Sequence, residues 1–170
     1  GPRPEVPVGQ AAPYLSGPVS HVYVQEELKS LISAALDKVG LDADMYIGAP
    51  LSSGLFVIPP AERADCAVLI DVGARHTDLS VLRGNALVAC ESIPVGGGHF
   101  TGDLAYAFGI SRSAAESIKR RYVFSLDYQD SIDTVRVPSG TLRVEHAAIQ
   151  YILEARAKEL VELIRGRLGE

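Results

Sequence analysis

Val68-Leu69-Ile70-Asp71-Val72-Gly73-Ala74-Arg75-His76-Thr77-Asp78 spells a strand that carries an acid and a glycine into a tight turn and then resumes as a second strand. The apolar run seats the first strand in a sheet. Asp71, near its end, can orient a magnesium-bound water, and the small residue that follows lets backbone N–H groups approach a terminal phosphate. The stretch therefore reads as a phosphate-binding β-hairpin. An Asp that ends an ordinary strand and caps its own turn is the competing reading.

Two further segments lie downstream. Ile93-Pro94-Val95-Gly96-Gly97-Gly98-His99-Phe100-Thr101-Gly102-Asp103-Leu104-Ala105 is a glycine turn opening a helix, and Ala115-Glu116-Ser117-Ile118-Lys119 follows about one helix later. Together the three segments resemble the actin-like ATPases and, within them, the FtsA family of bacterial cell-division proteins. There the hairpin usually reads D-I-G-G-G-T-T-D, the glycine turn I-P-V-G-G-x-H-I-T-x-D-I-A, and a helix carries A-E-x-I-K. The resemblance runs from about Val19 to the C-terminus, and the glycine turn is its most specific part.

The resemblance implies an α/β fold: a partial actin-like (ribonuclease-H-like) ATPase lobe with a mixed three-strand sheet, preceded by a small α+β subdomain. It implies ATP and magnesium as cofactors, held between two lobes. Asp71 would be the catalytic residue, ordering the attacking water or holding magnesium through water. Gly73, Ala74, Arg75, His76 and Thr77 would lie against the phosphates, and Gly96, Gly97 and Gly98 against the sugar and α-phosphate. Glu116 and Lys119 would meet the ribose hydroxyls and the adenine edge. The implied partners are further copies in a filament and FtsZ with other division proteins, at the cytoplasmic face of the cell membrane. Membrane contact in that family uses a C-terminal amphipathic helix, which is expected to lie outside this segment. One hairpin is present where such proteins have two, so the chain is expected to be a fragment or a reduced homologue.

Ala74, Arg75 and His76 stand where the family usually has Gly, Gly and Thr. A β-carbon at position 74 and a long side chain at 75 crowd a phosphate, although a guanidinium can also pair with phosphate oxygens. Hydrolysis is accordingly expected to be weak at most. A non-enzymatic interaction module that kept the fold and lost the nucleotide remains open, as does an actin-like relative of the PilM type from pilus assembly.

Physical alternatives accompany each site residue. A glycine triplet ahead of a helix can bind an anion with its orphan N–H groups, or can simply allow tight turning and close packing. Glu116 and Lys119 share a helical face at i, i+3, but Ser113 with Glu116 also reads as a capping box. His99 reads as a packed or capping histidine. His76, His99, Cys66 and Cys90 lack metal-ligand spacing, and no G-x-S-x-G elbow supports a serine hydrolase.

The 170 residues suffice for one domain or two small ones, and a charged share of 22% beside a hydrophobic share of 47% argues for a folded chain. A formal net charge of −5 disfavours nucleic acid as a partner, because phosphate backbones need clustered Lys and Arg. Cys66 and Cys90 sit in apolar runs without C-x-x-C spacing, which suits a reduced compartment. No apolar run approaches the roughly 20 residues that span a bilayer.

Along the chain, residues 1–20 are proline-rich and read as a tether or tag remnant. Residues 21–64 read as the small α+β subdomain, with strands at His21–Val24 and Met45–Ile47, a helix whose apolar stripe is Leu28, Leu31, Ile32, Ala35, Leu36 and Val39, and a short helix or turn from Pro50 to Val57. Residues 65–170 form the incomplete nucleotide-binding lobe. Its strands are expected at 67–72, 77–82 and 87–95, with helices at 100–108 and 113–122 and an exposed strand at 131–137. Leu142-Arg143-Val144 leads into a long terminal helix.

Overall fold

The computed structural model describes residues 9, 11, 13, 14, 21, 23–123, 131–137 and 140–169. Apart from 9, 11, 13 and 14, the proline-rich stretch read as a tether lies outside the described residues. In chain order the elements are α1 (Glu26–Asp37), α2 (Ala49–Val57), β1 (Ala67–Val72), β2 (Thr77–Arg83), β3 (Ala86–Ile93), α3 (Gly97–Phe108), α4 (Arg112–Arg121), β4 (Ile132–Val137), β5 (Gly140–Glu145) and α5 (His146–Leu168).

The first three strands form a sheet in the order β1-β2-β3. Their links, 73–76 and 84–85, are too short for a crossover, so neighbours run antiparallel. The sheet is a meander, not the mixed sheet expected. Gly84, at φ +57°, supplies the left-handed residue that a two-residue turn requires.

Two compact units emerge, Gly1–Leu69 with Leu79–Cys90 and Ile70–Asp78 with Glu91–Glu170. The polypeptide thus passes between them more than once. In the first unit α1 begins with Glu26 and Glu27 at its positive end and buries no residue. Among the described residues, those expected as strands at 21–24 and 45–47 carry no sheet pairing. Tyr23 and Met45 are largely exposed; an extended segment with no neighbouring edge to bond has nothing to hold it as a strand. Arg63 is buried. Its guanidinium bonds Asn85 Oδ1 and the carbonyls of Leu55 and Ile58, and its own carbonyl accepts from Gly84 N–H.

The second unit packs α3, α4, β4, β5 and α5 around Leu104, Ala115, Ile118, Val135, Val144, Ile149 and Leu153. β4 and β5 pair antiparallel with Val135 opposite Leu142. Leu142-Arg143-Val144, expected to lead into the helix, is therefore strand. Its alternation sends Leu142 and Val144 to one face, toward the core, and the helix starts only at His146. α3 ends at Gly109, left-handed at φ +61°, the usual stop that spares a β-carbon. α4 is capped by Ser111, whose hydroxyl accepts from Ala114 N–H at 3.3 Å, and its last turn carries Lys119, Arg120 and Arg121 beside the carbonyl end of the dipole.

Candidate functional site

The turn between β1 and β2 is closed by Gly73 N–H donating to His76 O at 2.9 Å. None of the described non-glycine residues has positive φ, so Ala74, Arg75 and His76 occupy this turn without backbone strain. Thr77 is fully buried, and its hydroxyl donates to Val95 O at 2.7 Å, which fastens the hairpin to the strand end preceding the glycine turn. His76 Nε2 lies 3.4 Å from Asp78. Asp71 is exposed at the end of β1.

The glycine triplet docks directly on this hairpin. Gly97 N–H donates to Gly73 O at 2.8 Å and Gly98 N–H to Ala74 O at 2.7 Å, so two amides that a free helix start leaves orphaned are satisfied by the turn. A β-carbon on Gly96 would stand 2.5 Å from Gly73 O, and one on Gly98 2.7 Å from Ala74 O. Gly96 and Gly98 thus serve close backbone approach, whereas a β-carbon on Gly97 would meet only ordinary contacts at 3.6 Å and beyond. Gly96 N–H donates to His99 Nδ1 at 3.0 Å, which makes His99 the cap of α3 and places its ring proton on Nε2.

Glu116 and Lys119 face this junction from α4. Lys119 Nζ lies 2.7 Å from Glu116 Oε2, 2.9 Å from Thr101 Oγ1 and 3.0 Å from Gly97 O. Thr101 also donates to Glu116 Oε2 at 2.5 Å, and Arg120 Nε to Glu116 Oε1 at 3.1 Å. The hydrogen bond from Lys119, then that from Thr101, holds the Glu116 carboxyl at about 2, below its ordinary 4.5, against the opposing effect of desolvation. The capping box expected from Ser113 and Glu116 does not form, because the cap is Ser111, two residues earlier, and Glu116 falls two residues beyond the position that would complete the box.

A cleft of about 560 Å³ is lined by Val72, Gly73 and Ala74 from the hairpin, Gly97, Gly98 and Thr101 from α3, and Arg112, Ser113, Glu116 and Lys119 from α4. Of the residues singled out by sequence, Gly73, Ala74, Gly97, Gly98, Glu116 and Lys119 come together here; Asp71, Arg75, His76, Thr77 and Gly96 are outside the lining. Thr101 and Arg112 were missed. Thr101 stands one helical turn after Gly97 and returns to its carbonyl at 3.1 Å, and Arg112 precedes Glu116 by four, on the same stripe of α4. Both spacings were legible. Among the described residues no group of three or more His, Cys, Asp or Glu could hold a metal ion, and no helix is long and apolar enough to cross a membrane.

Residues 68–165 match the profile of a family described as "Cell division protein FtsA". Over 163 residues the chain is 31% identical to Cell division protein FtsA of Escherichia coli (strain K12), covering 93% of this chain and 39% of that protein. It is 28% identical over 167 residues to the Pseudomonas aeruginosa protein, covering 95% and 40%. The chain thus spans about two fifths of the length of these relatives. Among solved structures it is similar to MreB 5 of Spiroplasma citri bound to AMPPNP, with a TM-score of 0.69 at 20% identity over 85% of this chain and 47% of that one. A "PilM-PilN type IV pilus biogenesis complex" matches with a TM-score of 0.60 at 23% identity over 84% and 36%. At such identities the likeness shows the fold, that of the actin-like ATPases, while the profile match decides against the PilM alternative. The profile covers more than half of the chain, and by that measure this protein belongs to the FtsA family of cell division proteins.

Proposed function

We propose that this chain supplies one wall of an ATP site in an actin-like division protein, which assembles into filaments and links a division ring of FtsZ to the cytoplasmic face of the membrane. The observation that carries this reading is the cleft itself. A hairpin turn, a glycine turn and an ionised carboxylate from three separate stretches of sequence meet around one volume, whose size suits a small-molecule site. AMPPNP and ADP are the ligands named for MreB 5, which supports a nucleotide here.

The residues present fit a nucleotide. The cleft's glycines leave backbone bare along one wall, and Glu116, ionised, retains acceptor capacity on Oε1 for a ribose hydroxyl beyond its bond from Arg120. Lys119 and Thr101 hold that carboxylate in place. In this reading the turn at Gly73 and Ala74 would face the phosphate chain. Asp71 would order a water of the magnesium ion, which when bound offsets phosphate charge. Titration calorimetry of the full-length protein with ATP and magnesium tests the reading: a saturable heat is expected, and its absence ends the nucleotide assignment. A second reading, an interaction module without nucleotide, is favoured by Ala74, Arg75 and His76 in place of Gly, Gly and Thr; it predicts the null titration.

A further inference from the structure

The basic side chains of the cleft are not equivalent. An ammonium has three N–H bonds to give, and Lys119 spends its three on Glu116, Thr101 and Gly97 O. Its charge is answered by Glu116 at 2.7 Å. The amides of Gly97 and Gly98, which at an open helix start would favour an anion, are bonded to the hairpin carbonyls. The lysine and the glycine amides that the sequence offers for holding a negative ligand are therefore already committed, and Arg75 lies outside the lining of the cleft.

Arg112 is different. It is the first residue of α4, is exposed, and lines the same cleft. Among the described residues it enters no ion pair, and its guanidinium makes one hydrogen bond, from Nη2 to Gly98 O at 3.0 Å. That leaves most of its five donors unspent. It runs along Gly98 and Gly102 of α3, one turn apart, which present no side chains to it. A β-carbon on Gly102 would stand 3.3 Å from Nη1, and one on Gly98 3.5 Å from Nη2. The same point at Gly98 is 2.7 Å from Ala74 O, so the guanidinium stands beside the hairpin turn.

We propose that Arg112 is the ligand-binding cation of this cleft, its planar fork taking phosphate oxygens of a nucleotide while Lys119 stays bound to Glu116. A guanidinium pairs with phosphate through two parallel N–H bonds, which an ammonium cannot match. The assignment rests on the nucleotide reading of the cleft.

The test is calorimetric titration of the full-length wild type, R112Q and R112K with ATP, ADP and adenosine in the presence of magnesium, after thermal unfolding has been compared. R112Q is expected to lose about tenfold or more in affinity for ATP and ADP, the scale of a lost charge-assisted bond, with adenosine binding unchanged. R112K, which keeps the charge without the fork, is expected to fall between wild type and R112Q for ATP and to match wild type for adenosine; it carries the test if R112Q fails to fold. Unchanged ATP affinity in both variants overturns the proposal, as does an equal loss for adenosine and ATP, which would put Arg112 at the base. A wild type that binds no nucleotide overturns the cleft reading as well, and the wild-type titration alone separates that failure from the others.

Discussion

Arg156 clasps Asp103 through two N–H bonds, Nε to Oδ2 at 2.6 Å and Nη2 to Oδ1 at 2.8 Å, and so joins the middle of α5 to α3. It also bonds Glu159 one turn along its own helix. The side chains of Arg156 and Asp103 are 24% and 31% exposed, enough burial for the pair to escape full solvent screening. Charge-assisted bonds of this kind are worth about 1.5–3 kcal/mol, less where water reaches them. Asp103→Asn is expected to lower stability by about 1–2 kcal/mol. Arg156→Lys should recover only part of the loss of Arg156→Met, because the fork geometry goes. Urea midpoints at constant slope measure both.

Glu116 gives a pH signature. Its carboxyl titrates at about 2 in the fold against an ordinary 4.5. A depressed carboxylate contributes stability that is fully present above the ordinary value and is lost as pH falls toward the folded one. Wild type should therefore exceed Glu116→Gln in stability near neutrality, with the margin shrinking between about pH 4.5 and pH 2. Carbon-13 titration of the Glu116 side chain should show a midpoint near 2. Lys119→Met should move that midpoint upward, since the Lys119 bond is the leading cause. A midpoint that stays put would detach Lys119 from this role.

Gly96 and Gly109 separate two uses of glycine. Gly96 has extended backbone at φ −153° that any residue can adopt, but its β-carbon would meet Gly73 O at 2.5 Å. Gly109 is left-handed at φ +61° with nothing within 4 Å. Gly96→Ala is expected to cost about 2–3 kcal/mol because a backbone carbonyl must move. Gly109→Ala should cost about 1 kcal/mol, the conformational term alone. Comparable losses by thermal unfolding would mean that the hairpin yields easily.

Asp71→Ala tests the acid of the hairpin. On the proposed function it abolishes nucleotide-dependent assembly of the full-length protein and leaves circular dichroism unchanged, since Asp71 is exposed. Light scattering with ATP and magnesium reads the first effect. Assembly that survives the substitution counts against Asp71 as the magnesium-water residue.

The sequence disclosed most of what is local. Apolar period and punctuation located α1, the three strands of the first sheet and the long helix α5, because helix and strand repeats are properties of neighbours in the chain. It misjudged what depends on a partner. Met45–Ile47 has strand composition but no edge to pair with, whereas Leu142–Val144 became strand because Ile132–Val137 lies opposite it. At the site, the i, i+3 spacing placed Glu116 with Lys119 correctly on one face. It could not disclose that Thr101 and Gly97 would absorb the remaining lysine donors, since those contacts cross from one helix to another.

The buried Arg63 has a practical consequence for anyone labelling this protein. Hairpin tips are ordinarily the safest places for an epitope or fluorophore insertion, yet the bend at Gly84 and Asn85 is riveted from beneath by that arginine's side chain and carbonyl. Cargo spliced there would prise out a guanidinium whose other bonds anchor the end of α2. The bend after α1 at Gly40, where a β-carbon meets nothing within 4 Å, is the site to graft instead.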